Sequence, residues 1–280
     1  MKASPHLRDF DKMRSSLSSP ARLLSFACTV LPCFLFVSTL AVAAEQSPPS
    51  LELSRPVRSW EFLPVVGTRA GLLGNESGEM EAWVYPLKIF RGFHVTFHVD
   101  GRDVPAESLA RTLIVHPESA TLVYAGDNFS VRETFFVPVH ERGAVILLDV
   151  ETEQPLEIEA AFIADFQLEW PAALGGAFLN WDESQRAFVF GEERKKFYAI
   201  VGSPSASSAR LEYQTNYSSY NENSLRLGVT SKGRASKIIV LAASTQGLAD
   251  AQANYQHLAT SYPDLLRNSA QYYRDYLNRT

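Results

Sequence analysis

Cysteine is nearly missing from this chain of 280 residues, and the two present, Cys28 and Cys33, share one apolar stretch near the N-terminus. The rest of the chain has no thiol for a disulfide or a cysteine-ligated zinc, so it must be held together by burial. Basic charge is scarce as well: 26 Lys and Arg stand against 31 Asp and Glu, a net charge of -5. No basic stripe is available to neutralise phosphates, which excludes nucleic acid as a partner. Arg194, Lys195 and Lys196 form a short run after Glu192 and Glu193, the pattern of a solvated turn. The chain also lacks a G-x-S-x-G elbow, a phosphate-cradling glycine loop, a dinucleotide fingerprint and an H-E-x-x-H pair. His94 and His98 fall on one face of a strand but about 13 Å apart by strand rise, too far to share a metal. No metal or cofactor is implied.

Charge and hydropathy pattern the N-terminus. Lys2, Arg8, Lys12, Arg14 and Arg22 precede an apolar run from Leu23 to Ala43, and small residues follow up to Ala44. This is the plan of a secretory signal over residues 1–44, cleaved after Ala43 or Ala44. An uncleaved anchor is the alternative, because the run is near the length that spans a bilayer; Pro32, Ser25, Thr29, Ser38 and Thr39 argue against it. Val30-Leu31-Pro32 lacks the small residues that precede a lipidated cysteine. The remainder is expected to be exported, periplasmic or extracellular, without stable membrane association after cleavage. Residues 45–56, rich in Gln, Ser, Pro and Glu, read as a tether.

From residue 57 to 245 short runs rich in β-branched and aromatic residues alternate with Gly, Pro, Asn and Asp. Phe93, Val95, Phe97 and Val99 alternate with His94, Thr96 and His98, and Asp100-Gly101 supplies a hairpin turn. Ala144–Val150 and Leu156–Ile163 are more continuously apolar and read as central strands. More than ten strands at this spacing predict an all-β fold, a large two-sheet antiparallel sandwich. After Thr245 the period becomes helical. Leu248, Ala251, Tyr255 and Leu258 share one face, and Leu266, Tyr273 and Leu277 share another, with Pro263 expected to separate two helices over residues 246–280.

The segment Arg69–Lys88, RAGLLGNESGEMEAWVYPLK, carries the chemistry. Glu76, Glu79 and Glu81 lie close together, and glycoside hydrolysis uses two carboxylates, although acids on a surface turn are the commoner arrangement. Strand parity puts Glu79, Glu81, Trp83 and Tyr85 on one face. Acids beside aromatics compose a sugar site, because rings stack on a pyranose face while carboxylates accept its hydroxyls. Trp60, Trp170 and Trp181 could serve similarly or pack in the core.

RAGLLGNESGEMEAWVYPLKIF resembles the opening hairpin of the N-terminal domain of bacterial glycogen-debranching, amylo-α-1,6-glucosidase-like, glycoside hydrolases of the six-hairpin glycosidase superfamily. NFSVRETFFVPVHERGAVILLDVE at 128–151 and FQLEWPA at 166–172 extend the likeness. The resemblance implies a β-supersandwich, linker helices and then an (α/α)6 barrel whose two carboxylates hydrolyse α-glucosidic bonds with inversion. With no barrel sequence before Thr280, the expectation is a non-catalytic domain, inactive alone, whose partners are α-glucan and its own catalytic barrel. Glu79, Glu81, Trp83 and Tyr85 would then edge the pocket or hold the interdomain contact, with no catalytic residue among them. A free-standing exported carbohydrate-binding module, with Trp83, Tyr85 and Trp181 as a platform, is the rival expectation. A structural domain packed on a partner chain is the third.

Overall fold

A computed structural model describes residues 51–170, 174–212 and 221–279; the expected signal sequence lies outside them. In chain order its strands are β1 (Leu53–Pro56), β2 (Phe62–Val66), β3 (Ala70–Asn75), β4 (Met80–Val84), β5 (Leu87–Val99) and β6 (Arg102–Pro105). A short 3-10 turn at Ala106–Leu109 leads to β7 (Ala110–His116), β8 (Ser119–Ala125), β9 (Phe129–Phe136), β10 (Gly143–Thr152) and β11 (Leu156–Leu168). Then come β12 (Ala177–Asp182), β13 (Ala187–Glu192), β14 (Tyr198–Gly202), β15 (Ser208–Arg210), β16 (Glu222–Val229), β17 (Gly233–Ser244) and a helix, α1 (Leu248–Leu277).

These strands form two antiparallel sheets, as the alternation predicts. Sheet A runs β1-β7-β8-β9-β10-β17-β14-β13-β12, and sheet B runs β15-β16-β11-β5-β4-β3-β2 with β6 paired to β5. Side-chain parity assigns each face. In β5, Phe93, Val95, Phe97 and Val99 are buried between the sheets while His94, Thr96 and His98 point outward. Asp100 and Gly101 close the β5–β6 hairpin with positive φ values of 52° and 69°, a geometry that an Asp-Gly pair accommodates readily. The core is rich in ring contacts: Phe90, Phe162 and Phe188 succeed one another at centroid separations of 5.2 and 5.3 Å, the first pair tilted and the second edge to face.

The part of sheet A under α1 is buried on both faces. Its inner face carries Ala144, Ile146 and Leu148 of β10, and its outer face carries Val145 under α1. The continuous apolar run of β10 follows from this double burial. Helix α1 presents Ala251, Tyr255 and Leu258 to Phe136, Val145, Val240 and Ala242.

Two expectations need correction. Pro263 does not separate two helices: it lies inside one continuous helix of 30 residues. A proline there removes one backbone hydrogen bond and costs roughly 3 kcal/mol. Anchorage on both sides of it, by Leu258 in the apolar layer and by buried Ser269, which accepts the Val139 N–H at 3.4 Å, offsets that cost. The expected tether also ends early, because Leu53–Pro56 pairs with β7. Arg55 holds it there through Glu61 at 3.0 Å and through both oxygens of buried Glu76.

A polar pair lies inside the core. Glu133 is fully buried, and its Oε2 accepts the Tyr124 hydroxyl at 2.5 Å, while its Oε1 has no partner among the described residues. Burial pushes the Glu133 carboxyl up to about 8, against which the Tyr124 hydrogen bond acts only partly. The folded protein therefore holds this proton more tightly than the unfolded chain, so stability is full below about pH 4.5, the ordinary carboxylate value, and falls as pH rises toward 8. Glu133→Gln is expected to flatten this dependence. Melting curves from pH 5 to 8.5 check it: the wild type should lose several degrees that the variant keeps, and parallel losses would contradict the assignment.

Candidate functional site

The β3–β4 hairpin decides which acids can act together. Glu76, in its turn, is buried and spent on structure: besides Arg55, it accepts the Arg58 backbone N–H at 2.8 Å. Glu79 precedes β4 and is exposed, with its Oε1 beside Gly92 of β5. Along β4, Met80, Ala82 and Val84 fill the core, which leaves Glu81 and Trp83 on the outer face of sheet B. Tyr85 follows in the turn to β5, exposed, with a cis peptide bond to Pro86.

Glu81, Trp83 and Tyr85 line one groove of about 350 Å³. Its other walls are Leu73 of β3, the turn Gly67-Thr68-Arg69 and Glu169 just past β11. Three of the four residues singled out by parity thus come together, and Glu79 does not. It lies before β4, beside Gly92 of β5, and is not among the residues that line the groove. Arg69 and Glu169 were not among the expected site residues. Arg69 opens the informative segment, but only the fold brings Glu169, just past the end of β11, across to Tyr85.

The groove is polar at its base and aromatic at its wall. Glu81 accepts the Trp83 indole N–H on Oε1 at 2.8 Å and the Lys88 ammonium on Oε2 at 2.7 Å. Lys88 also pairs with Asp165 at 3.0 Å and sits 5.5 Å from the centre of the Trp83 ring. Burial works to raise the Glu81 carboxyl, but the Lys88 and Trp83 hydrogen bonds and the lysine charge outweigh it and hold it below the usual range. A carboxylate so held is a permanent acceptor and is unsuited to donating a proton to a leaving group at neutral pH. Glu169 raises the Tyr85 hydroxyl above its ordinary value, by hydrogen bonding and then by its charge. Each acid therefore fixes the ring system beside it.

The other tryptophans lie elsewhere. Trp181 is on β12 of sheet A, with its ring 5.0 Å from Phe188 and its indole N–H donated to Glu183 at 2.6 Å, which makes it a packing residue. Trp60 and Trp170 are exposed. Neither histidine of β5 is free: His98 lies between Asp103 at 2.7 Å and Glu159 at 2.9 Å, and His94 Nδ1 is 3.0 Å from the Gly92 carbonyl. Among the described residues no group of three or more His, Cys, Asp or Glu is placed to hold a metal ion. No described helix is long and apolar enough to cross a membrane.

No protein-family model matches the chain, and no curated protein sequence does. Solved structures do. A bacterial glucoamylase complexed with acarbose superposes with a TM-score of 0.56 at 12% identity, over 80% of this chain and 39% of its own. A kojibiose phosphorylase from the human microbiome gives a TM-score of 0.45 at 8% identity, over 80% of this chain and 31% of its own. An aldose 1-epimerase of Escherichia coli K12 gives 0.42 at 10% identity, over 66% and 99%. The chain thus spans about two fifths of the glucoamylase and shares the fold of the part it matches.

Lys88→Met is expected to leave Glu81 with its indole partner but without its counter-charge, in a site that burial disfavours for an anion. Its carboxyl should titrate at higher pH than in the wild type, read from the side-chain carbon resonance across a pH series. An unchanged midpoint would show that the lysine is not what holds it down.

Proposed function

We propose that this chain is the non-catalytic β-sandwich portion of an exported glycoside hydrolase acting on α-glucan, related to debranching α-glucosidases. In this reading the sandwich domain runs from β1, which starts at Leu53, to residue 245, and α1 (Leu248–Leu277) leads toward a helical-barrel catalytic domain of the same enzyme. One observation carries the sugar assignment: Glu81, Trp83 and Tyr85 line a single groove in which the acids are acceptors and the rings are fixed by them. A pyranose offers an apolar face to the rings and hydroxyls to the acids. Glu79, exposed and outside the lining of the groove, would act at its margin. Support for a neighbouring domain comes from Trp60, Phe62, Val66 and Tyr85, large apolar residues exposed near the same edge of sheet B.

A second reading is a free-standing carbohydrate-binding module, favoured by a groove built wholly from sandwich residues. It would use Trp83 and Tyr85 but not Trp181, which sits on the other sheet. Genomic sequence past the codon for Thr280 discriminates the two. A long open frame with helical-hairpin periodicity supports the enzyme portion, and a stop codon supports the module.

Titration with maltooligosaccharides, followed by tryptophan fluorescence, tests the sugar site itself. The wild type should give a saturable change that Trp83→Ala abolishes. No change in the wild type, or an equal change in the variant, would overturn the groove as a sugar site.

A further inference from the structure

We propose that Arg69 is the specificity-determining residue of this groove, reading a pair of adjacent oxygens on the bound sugar, and that Thr68 positions it. The inference rests on the sugar-binding reading of the groove and deepens it.

Hydrogen-bond bookkeeping singles Arg69 out. Sugar hydroxyls both donate and accept, whereas ring and glycosidic oxygens only accept, so a site that fixes a sugar's orientation must supply donors. Glu81 and Glu169 supply acceptors only. Most donors on the groove-lining side chains are already used: the Trp83 indole N–H goes to Glu81, the Tyr85 hydroxyl to Glu169 and the Thr68 hydroxyl to the Val139 carbonyl at 2.6 Å. Arg69 remains. Its side chain is exposed in the groove, and among the described residues its guanidinium makes no hydrogen bond or ion pair. Neighbouring cations behave differently: Arg55, Arg58 and Lys88 are paired with Glu76, Glu61 and Glu81.

While the guanidinium is free, its backbone is fixed. The Arg69 carbonyl accepts the Tyr85 N–H at 2.9 Å, which ties the cation to the aromatic wall. Thr68 donates twice to the Val139 carbonyl, from its hydroxyl and from its N–H at 2.8 Å. Gly67 permits that approach, because a Cβ there would lie 2.7 Å from the Pro138 carbonyl oxygen. Val139 in turn donates to Ser269 of α1 at 3.4 Å, so the groove turn is fastened through one residue to the helix on the other sheet. A rigid turn that carries unspent, forked donors is prepared for a ligand.

The test compares Arg69→Ala, Arg69→Lys, Thr68→Val and Trp83→Ala with the wild type, using maltotetraose and β-linked cellotetraose as probes and tryptophan fluorescence as the readout. Arg69→Ala should weaken maltotetraose binding about tenfold or more, and the wild-type preference for it over cellotetraose should collapse toward equality. Arg69→Lys should stay several-fold weaker, because an ammonium lacks the fork. Thr68→Val should lose affinity while the preference persists in part; Trp83→Ala should lose both sugars alike. If Arg69→Ala keeps the affinity and the preference while Trp83→Ala loses binding, the groove reading stands and the Arg69 inference falls. Full affinity in Arg69→Lys would remove the forked contact. A wild type that binds neither sugar overturns both.

Discussion

The organisation of this fold depends on the centre of sheet A being covered on both faces. Without disulfides beyond the N-terminal apolar run, the chain relies on burial, and β10 and β17 sit in the middle of two apolar layers at once. The inner layer welds sheet A to sheet B, and the outer layer welds it to α1. At about 25 cal/mol per Å² of apolar surface, such double burial supplies the dominant favourable term. Its consequence for function is positional. With the helix on the outer face of sheet A, the outer face of sheet B is left to polar and aromatic side chains, and there the groove forms.

The same economy explains why the acids near the groove are not free to do chemistry. Glu76 is consumed by Arg55 and by the Arg58 backbone, and Glu81 by Lys88 and Trp83. Each pairing fixes a strand or a ring. The result is a surface on which the Trp83 indole is hydrogen-bonded to a Glu81 carboxylate held below its usual range, an arrangement that suits recognition of a hydroxylated ring better than proton transfer to it.

Much of the fold was legible in the chain, because period-two alternation is a local signal. Phe93 to Val99 announced its own faces, Asp100-Gly101 its own turn, and the unbroken apolar run of β10 its double burial. The helical stripe Ala251, Tyr255, Leu258 was equally plain. Pro263 misled because the cost of a helical proline is local while the compensation is tertiary: Leu258 and Ser269 dock on either side of it. The tether misled for the same reason, since Arg55 finds Glu76 twenty-one residues away. At the site, Glu81 and Trp83 share the outer face of β4 as parity has it, and Glu79, which lies before the strand begins, does not line the groove with them. Nothing local marks Glu169 as a neighbour of Tyr85, or joins Thr68 to Val139 across seventy-one residues. Parity along β9 does put Glu133 inside with Phe129, Val131 and Phe135, but nothing local shows that its hydroxyl partner is Tyr124 on β8.

The central claim is that the groove walled by Trp83 receives a sugar, and the indole N–H resonances of the four tryptophans test it most directly. The Trp83 N–H, bonded to Glu81, should shift progressively on addition of maltotetraose, while the Trp181 N–H, bonded to Glu183 on the other sheet, should stay still. A static Trp83 resonance at saturating sugar, or a shift confined to Trp181, would contradict it.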